Sequence, residues 1–476
     1  MILNHLDERF SKVRVAILGD IMLDIHYKGD VNRISPEAPI PIVNVNSIDS
    51  KLGGAGNVAS NIKSLGGICT LIGVIGDDES GEIIDCKLRQ AEIINKVILK
   101  PSYKTTTKSR VVGNNQQITR LDFEEKLSLN DSDMASFKAI FSRVFPIQDV
   151  LIISDYDKGL FHGKLCALAI EMAQKYNLKI IVDPKGVNWH KYIGAHWITP
   201  NFKEFSCMIK NGIEHTNYDI EMYGRKIIEE YQIENLLVTR SQYGMTWISD
   251  NIVMHQETRA REVFDVNGAG DTVIATLAIA LGAGFEKADA INLANYAGGI
   301  SVGKFGTANV TVDELYLAYS RIGGSKNYTT ETLAILVKDL QSKGKKVIFT
   351  NGCFDIIHRG HLMYLQEAKK LGDVLIVALN SDSSVKKLKG ELRPINQESD
   401  RVFMMSQFSF IDYLVVFDDD TPERILSIIR PDVLVKGGDY TKETIIGKEY
   451  VKEVQIIPFI EGLSSTTLID KIKSIQ

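Results

Sequence analysis

Two glycine-broken turns, far apart in the chain and each running into a helix-like segment, constrain this sequence most. The first is Asp265-Val266-Asn267-Gly268-Ala269-Gly270-Asp271, which leads straight into the apolar stretch Thr272 to Gly282. The second is Asn351-Gly352-Cys353-Phe354-Asp355-Ile356-Ile357-His358-Arg359-Gly360-His361, set between the strand-like run Lys346 to Thr350 and the helix-like Leu362 to Leu371. A glycine turn at a helix start aims unpaired N–H groups at one point, and the helix dipole adds to the pull on an anion. Both turns therefore read as phosphate sites. A chain of 476 residues is too long for one ordinary core, so two domains are expected, one around each turn.

The rest of the pattern predicts an α/β fold in both halves. Val13 to Leu18, Val150 to Asp155, Ile180 to Pro184 and Leu236 to Thr239 are short runs rich in β-branched residues or Leu, each ending in a polar residue or turn. That is the form of buried parallel strands whose C-terminal ends carry the chemistry. Thr105 to Arg110 and Gln116 to Phe123 alternate around Gly113-Asn114-Asn115 and predict a hairpin projecting from the main sheet, either a lid or a plain edge hairpin. The periodic pattern breaks at Arg321 to Asn327. The expected domains are 1–320 and 344–476, joined by a linker, 321–343, in which Leu333 to Lys343 forms a short amphipathic helix.

Composition removes several function classes. Net charge is -5, and residues 341–476 carry 19 basic and 19 acidic groups, so neither half is a polybasic module for nucleic acid or an anionic membrane. Cys69, Cys86, Cys166, Cys207 and Cys353 are odd in number and form no CxxC pair, which fits a reducing cytoplasm better than a disulfide framework or a zinc site. The first residues include Asp7 and Glu8 and lack an apolar signal core, and no run has the length of a membrane span.

At the first turn, Asp271 has two readings. It caps its helix, or it takes the proton of an attacking hydroxyl while the amides of Gly268, Ala269 and Gly270 stabilise a phosphoryl group in transfer. Upstream, Gly53-Gly54-Ala55-Gly56-Asn57 precedes a small-residue helix, where glycines admit a ligand to the backbone and Asn57 can bond hydroxyls. Asp20 and Asp24 follow the first strand and read as sugar contacts or as solvated loop acids. Together with Asn201-Phe202-Lys203-Glu204 and Val238-Thr239-Arg240, these segments resemble, in order over the first two-thirds of the chain, the ribokinase-like sugar kinases. The resemblance implies an α/β sandwich with a small β lid and Asp271 as base. It sets Asn201 and Glu204, with Thr239 and Gly244, on the ATP side near Mg²⁺ that is held through phosphates and water. It sets Asp20, Asp24, Gly53, Gly54 and Asn57 at the sugar. Val266 departs from the Thr of many relatives, which removes a hydroxyl but none of these groups.

At the second turn, two imidazoles at a helix start can donate to charge building on a phosphate, with Gly360 between them allowing close approach. Metal binding is the rival, but these histidines lie on a turn without an evident third ligand. The segment resembles the cytidylyltransferase-like superfamily, marked by HxGH, and implies a Rossmann-like nucleotidyltransferase domain. The resemblance extends to Lys436-Gly437-Gly438-Asp439 and to Ser464-Ser465-Thr466-Thr467, hydroxyls that bind nucleotide phosphates or merely cap a helix. Asn351, Gly352, Phe354, Asp355, Lys436, Gly437, Asp439, Ser464, Ser465 and Thr466 are the implied nucleotide contacts. Lys389 and Arg393 are candidates for pyrophosphate, although Lys386 to Lys389 reads equally as a solvated loop.

The order of the two domains, with Arg33-Ile34-Ser35-Pro36-Glu37-Ala38-Pro39 near the start, resembles the bacterial bifunctional heptose kinase/adenylyltransferases over essentially the whole chain. That resemblance implies phosphorylation of D-glycero-β-D-manno-heptose 7-phosphate at O1 and adenylyl transfer from ATP to heptose 1-phosphate, for lipopolysaccharide core synthesis. It implies a separate phosphatase between the two steps and a homodimer paired through the lid. Lys158 and Lys185, after strand ends, are the candidates for holding the 7-phosphate. Another sugar phosphate, CTP as donor, or a non-catalytic scaffold are the competing readings.

Overall fold

In the computed structural model the chain divides into two compact units, Met1–Leu315 and Tyr316–Gln476. The structure describes residues 6–114, 116–209, 212–259, 263, 265–304, 309–320, 326–438, 441 and 444–458. The first unit is built on a nine-stranded sheet. In spatial order its strands are Val253–Gln256, Met245–Ile248, Asn235–Thr239, Trp197–Ile198, Lys179–Asp183, Val150–Ser154, Arg14–Gly19, Ile68–Ile72 and Ile94–Asn95. From Asn235–Thr239 onward every pairing is parallel; the two strands after Thr239 turn back antiparallel. Parallel strands need crossovers, and the covering helices bury them on both faces, which is why their sequences are apolar without alternation.

Helix Ala269–Gly282 packs against the strands Arg14–Gly19, Val150–Ser154 and Lys179–Asp183, and against helices Ala55–Ser64 and Lys287–Val302. It is buried from Asp271 to Leu281. A helix covered all round is apolar all round, so its sequence has no polar stripe. Its first turn faces the C-terminal ends of the central strands, which delivers the glycine turn to the place where open α/β sheets bind ligands.

The expected hairpin forms from Thr106–Gly113 and Gln116–Phe123, but it does not project from the main sheet. It is half of a separate four-stranded sheet, with Ile21–Ile34 parallel to Thr106–Gly113 and Pro41–Gly54 beyond. These two long strands are additional to the sequence reading. Most of their residues are half-exposed or exposed, so no apolar alternation marks them. Asp24 therefore sits on a strand rather than in a loop.

The second unit is a six-stranded parallel sheet in the order Asn327–Tyr328, Tyr413–Phe417, Val374–Asn380, Val347–Gly352, Val433–Gly437 and Glu453–Ile457. Strand order reverses between Val347–Gly352 and Val433–Gly437, and a doubly wound sheet opens its ligand crevice at that point. Helix Thr330–Ser342 occupies much of the stretch expected as linker. Its Leu333, Leu336 and Val337 are fully buried in the second unit's core, so this segment is part of that domain. Among the described residues no helix is long and apolar enough to cross a membrane.

Candidate active sites

In the first unit the glycine turn and the central strand ends converge. Gly268 caps helix Ala269–Gly282 in the left-handed region, φ 77°, and no side chain caps it. Asp271 does not close its own helix. Its Oδ1 accepts from the Tyr156 hydroxyl at 2.6 Å and its Oδ2 from Asn57 Nδ2 at 2.6 Å. Burial pushes the Asp271 carboxyl up to about 6, and those two hydrogen bonds, favouring the anion, work against the rise. Tyr156 is held well above its ordinary range, first by burial and then by Asp271 and Asp183, so the shared proton stays on the phenol.

A cavity of about 160 Å³ opens beside this group, lined by Asp155, Tyr156, Asp183, Lys185, Thr199, Asn201, Glu204, Thr239, Gly268, Gly270 and Asp271. Asn201 and Glu204 form a capping box: Glu204 N donates to Asn201 Oδ1 at 2.9 Å and Asn201 N to Glu204 Oε2 at 3.0 Å. Lys185 Nζ pairs with Glu204 Oε1 at 2.6 Å, and both residues line this cavity. Thr239 lines the cavity; Gly244, φ 80°, instead shapes the turn between two antiparallel strands. Asp183, absent from the sequence candidates, faces the cavity, and burial followed by the charges of Asp271 and Glu204 drives its carboxyl well above the usual range.

The sugar-side candidates divide. Asp24 is buried and bound to Arg110 Nη1 at 2.5 Å. Gly53 packs on it: a Cβ there would lie 2.5 Å from Asp24 Oδ2. Gly54 has φ +56°, and its Cβ would meet Asp20 O at 2.5 Å, so the turn into helix Ala55–Ser64 demands glycine. Asp20 Oδ2 accepts from Tyr156 N at 2.8 Å and Lys158 N at 3.2 Å. It shapes the loop that aims Tyr156. Lys158 Nζ pairs with Glu124 at 2.6 Å. Asn57, expected at the sugar, holds the base. The signal for Tyr156 was its place just after a central strand, but only the fold brings it to Asp271.

In the second unit the two strands flanking the crevice meet through Lys436 Nζ, which donates to Asn351 Oδ1 at 2.5 Å. No carboxylate partners Lys436 among the described residues, and burial pushes its ammonium down to about 8. His358 is the N-cap residue of helix Arg359–Lys369, with Gly360 in its first turn. The His358 and His361 rings stack with centroids 3.8 Å apart. His358 N donates a long bond, 3.4 Å, to His361 Nδ1. Burial, then the charges of His358 and Lys389, pushes His361 down to about 4; burial and Lys389 also lower His358. Both rings are therefore neutral at neutral pH. The buried His358 Nδ1 makes no hydrogen bond among the described residues.

Other expected contacts are engaged in building the crevice. Asp355 is buried and accepts from Arg393 Nη1 at 2.5 Å, Ile395 N at 2.7 Å and Asn396 N at 3.1 Å, which anchors the Arg393 loop through one of its nitrogens. Phe354, at φ 46°, turns under His361 with centroids 5.2 Å apart. Gly352 and Gly437 end the two central strands, and Lys389 closes the helix Asp382–Lys389. The sequence candidates omit Arg401. Fully buried, it donates to the carbonyls of Cys353, Asn380 and Asn396 and to Asp382, tying three segments of the chain together. Asp439, Ser464, Ser465 and Thr466 lie outside the described residues.

Comparison with known proteins assigns each unit to a family. Residues 12–314 match the pfkB family carbohydrate kinases and residues 349–471 the cytidylyltransferase-like family. The bifunctional protein HldE of Hahella chejuensis is 42% identical over 98% of each chain, as is that of Alcanivorax borkumensis; that of Haemophilus ducreyi is 42% identical over 98% of this chain and 99% of its own. The first unit has the fold of Escherichia coli phosphofructokinase-2 solved with potassium (TM-score 0.55, 21% identity, 65% of this chain and 99% of that one) and of Thermotoga maritima ribokinase (TM-score 0.51, 21%, 65% and 99%). The chain belongs to the bifunctional HldE family, a carbohydrate kinase unit followed by a cytidylyltransferase-like unit.

Proposed function

We propose how the two sites divide the work of this bifunctional transferase, whose activities are a heptose-phosphate kinase and an adenylyltransferase of ADP-heptose synthesis. In the first unit, Asp271 takes the proton from O1 of D-glycero-β-D-manno-heptose 7-phosphate as that oxygen attacks the γ-phosphorus of ATP. Tyr156 and Asn57 fix the carboxylate, and the amides from Gly268 to Gly270 receive the developing charge. ADP leaves, and the sugar becomes the 1,7-bisphosphate. Asp183 and Glu204 supply hard oxygen donors on the ATP side, fitting Mg²⁺ held through phosphates and water; when bound, the ion neutralises charge on the phosphates. The observation that carries this reading is the buried Asp271 with both oxygens oriented at the mouth of an uncapped helix.

In the second unit, a phosphate oxygen of heptose 1-phosphate attacks the α-phosphorus of ATP and pyrophosphate leaves. His361 accepts at Nδ1, which puts its proton on Nε2, ready to donate to the phosphate. His358 and the Lys436 ammonium complete the charge stabilisation. Because the first product carries two phosphates and the second substrate one, a separate phosphatase acts between them.

Ile34, Val45, Ile48, Ile118, Leu121 and Phe123 leave apolar surface exposed on the lid sheet, which supports a homodimer paired there. The free cysteines and the absence of a spanning helix among the described residues agree with a cytoplasmic enzyme.

The test is purified protein with heptose 7-phosphate, Mg²⁺ and ATP, then a phosphatase, then ATP or CTP. ADP-heptose formed with ATP alone is the expected result. Turnover with a different sugar phosphate or with CTP only would replace the acceptor or the base; bound nucleotide without turnover in either half would leave a scaffold.

A further inference from the structure

We propose that Lys108, on the lid strand Thr106–Gly113, binds the phosphate at the far end of the acceptor sugar and makes the first unit selective for phosphorylated sugars. The proposal rests on the reading of this unit as a sugar-phosphate kinase with Asp271 as base.

Strand pairing sets Lys108 opposite Asp24 on one side and Asp122 on the other, so the three share the face that carries Arg110. The acids within reach already have cations. Arg110 holds Asp24 at 2.5 Å, Arg120 grips Asp122 through two nitrogens at 2.8 Å each, and Lys158 holds Glu124 at 2.6 Å. The Lys108 ammonium makes no hydrogen bond among the described residues. Its Nζ instead lies over the Tyr156 ring, 5.7 Å from the centroid.

That ring sets the reach. Its hydroxyl sits on Asp271 at 2.6 Å, so one tyrosine separates the half-buried ammonium from the base. A sugar whose reacting hydroxyl meets Asp271 extends its opposite end across the same span, and a phosphate there meets Lys108, flanked by Lys158. Burial lowers the Lys108 ammonium; Asp24 and Asp122 oppose that shift and the like charges of Lys158 and Arg120 add to it, and a dianion at Nζ would relieve it. The expected holders fit less well: Lys185 is on the Glu204 side of the cavity, and Lys158 is already paired.

The experiment compares the wild-type chain with Lys108→Met and Lys108→Arg, using heptose 7-phosphate and the same heptose without its phosphate. Adenylyl transfer by the same chain reports that the protein is folded. We expect wild type to favour the phosphorylated sugar. Lys108→Met should raise its KM about 10- to 100-fold, the range of a charge-assisted hydrogen bond, with little change for the plain heptose or for the KM of ATP. Lys108→Arg should recover much of the preference. A preference kept intact in Lys108→Met, or an equal loss with both sugars, overturns the role of Lys108 and leaves the kinase reading standing. A wild-type enzyme with no preference for the phosphorylated sugar overturns both.

Discussion

Replacing Tyr156 by Phe removes one hydroxyl and leaves the ring under Lys108. That hydroxyl is one of two donors stabilising the Asp271 carboxylate, each at 2.6 Å, in a site where burial already lifts the acid to about 6. A hydrogen bond to a charged group is worth about 1.5–3 kcal/mol, and 1.36 kcal/mol is one pKa unit, so its loss should raise the base by about 1–2 units, to roughly 7–8. The sign follows from the proton count: the lost bond favoured the anion, the anion is the working base, and so activity should fail at higher pH than before. In initial-rate measurements of the kinase between about pH 5 and 9, the acidic limb of kcat/KM should move up by that amount, with rates converging toward wild type in alkali. Adenylyl transfer by the same sample serves as the folding control. A uniform drop at every pH with an unmoved acidic limb would refute the argument, because Tyr156 would then be shaping the pocket without tuning the base.

Three further outcomes are expected. His361→Ala should lower adenylyl turnover about 10²- to 10³-fold with a smaller effect on the KM for ATP, while kinase turnover is retained; a change confined to KM would mean ground-state binding. Lys436 loses its charge as pH rises through about 8, so the KM for ATP in adenylyl transfer should climb above that pH in wild type and stay flat in Lys436→Arg; parallel profiles would remove Lys436 from the site. Arg401→Met strips donors from three backbone carbonyls and Asp382, and should destabilise the second unit by about 3–5 kcal/mol in urea unfolding followed by loss of adenylyl transfer, with kinase activity outlasting it.

The sequence alone determined where phosphate chemistry is placed and what kind of fold carries it. Gly268 and the His358–His361 turn act through backbone conformation and helix starts, which are local properties and so can be read from neighbouring residues. The central strands were legible for the same reason, because burial on both faces leaves a continuous apolar run. The lid strands Ile21–Ile34 and Pro41–Gly54 were not, since successive residues over most of their length are exposed or half-exposed on both faces and so carry no apolar alternation. Roles that depend on partners distant in the chain belonged to the tertiary structure. Tyr156 reaches Asp271 across 115 positions and Asn57 across 214, and Lys436 meets Asn351 across 85. Lys185 and Asp20 have the side chains of ligand contacts, and only the packed chain shows that Lys185 pairs with Glu204 and that one Asp20 oxygen accepts from the backbone at Tyr156 and Lys158. Residue type states what a group can bind; only the packed chain decides which groups are already bound.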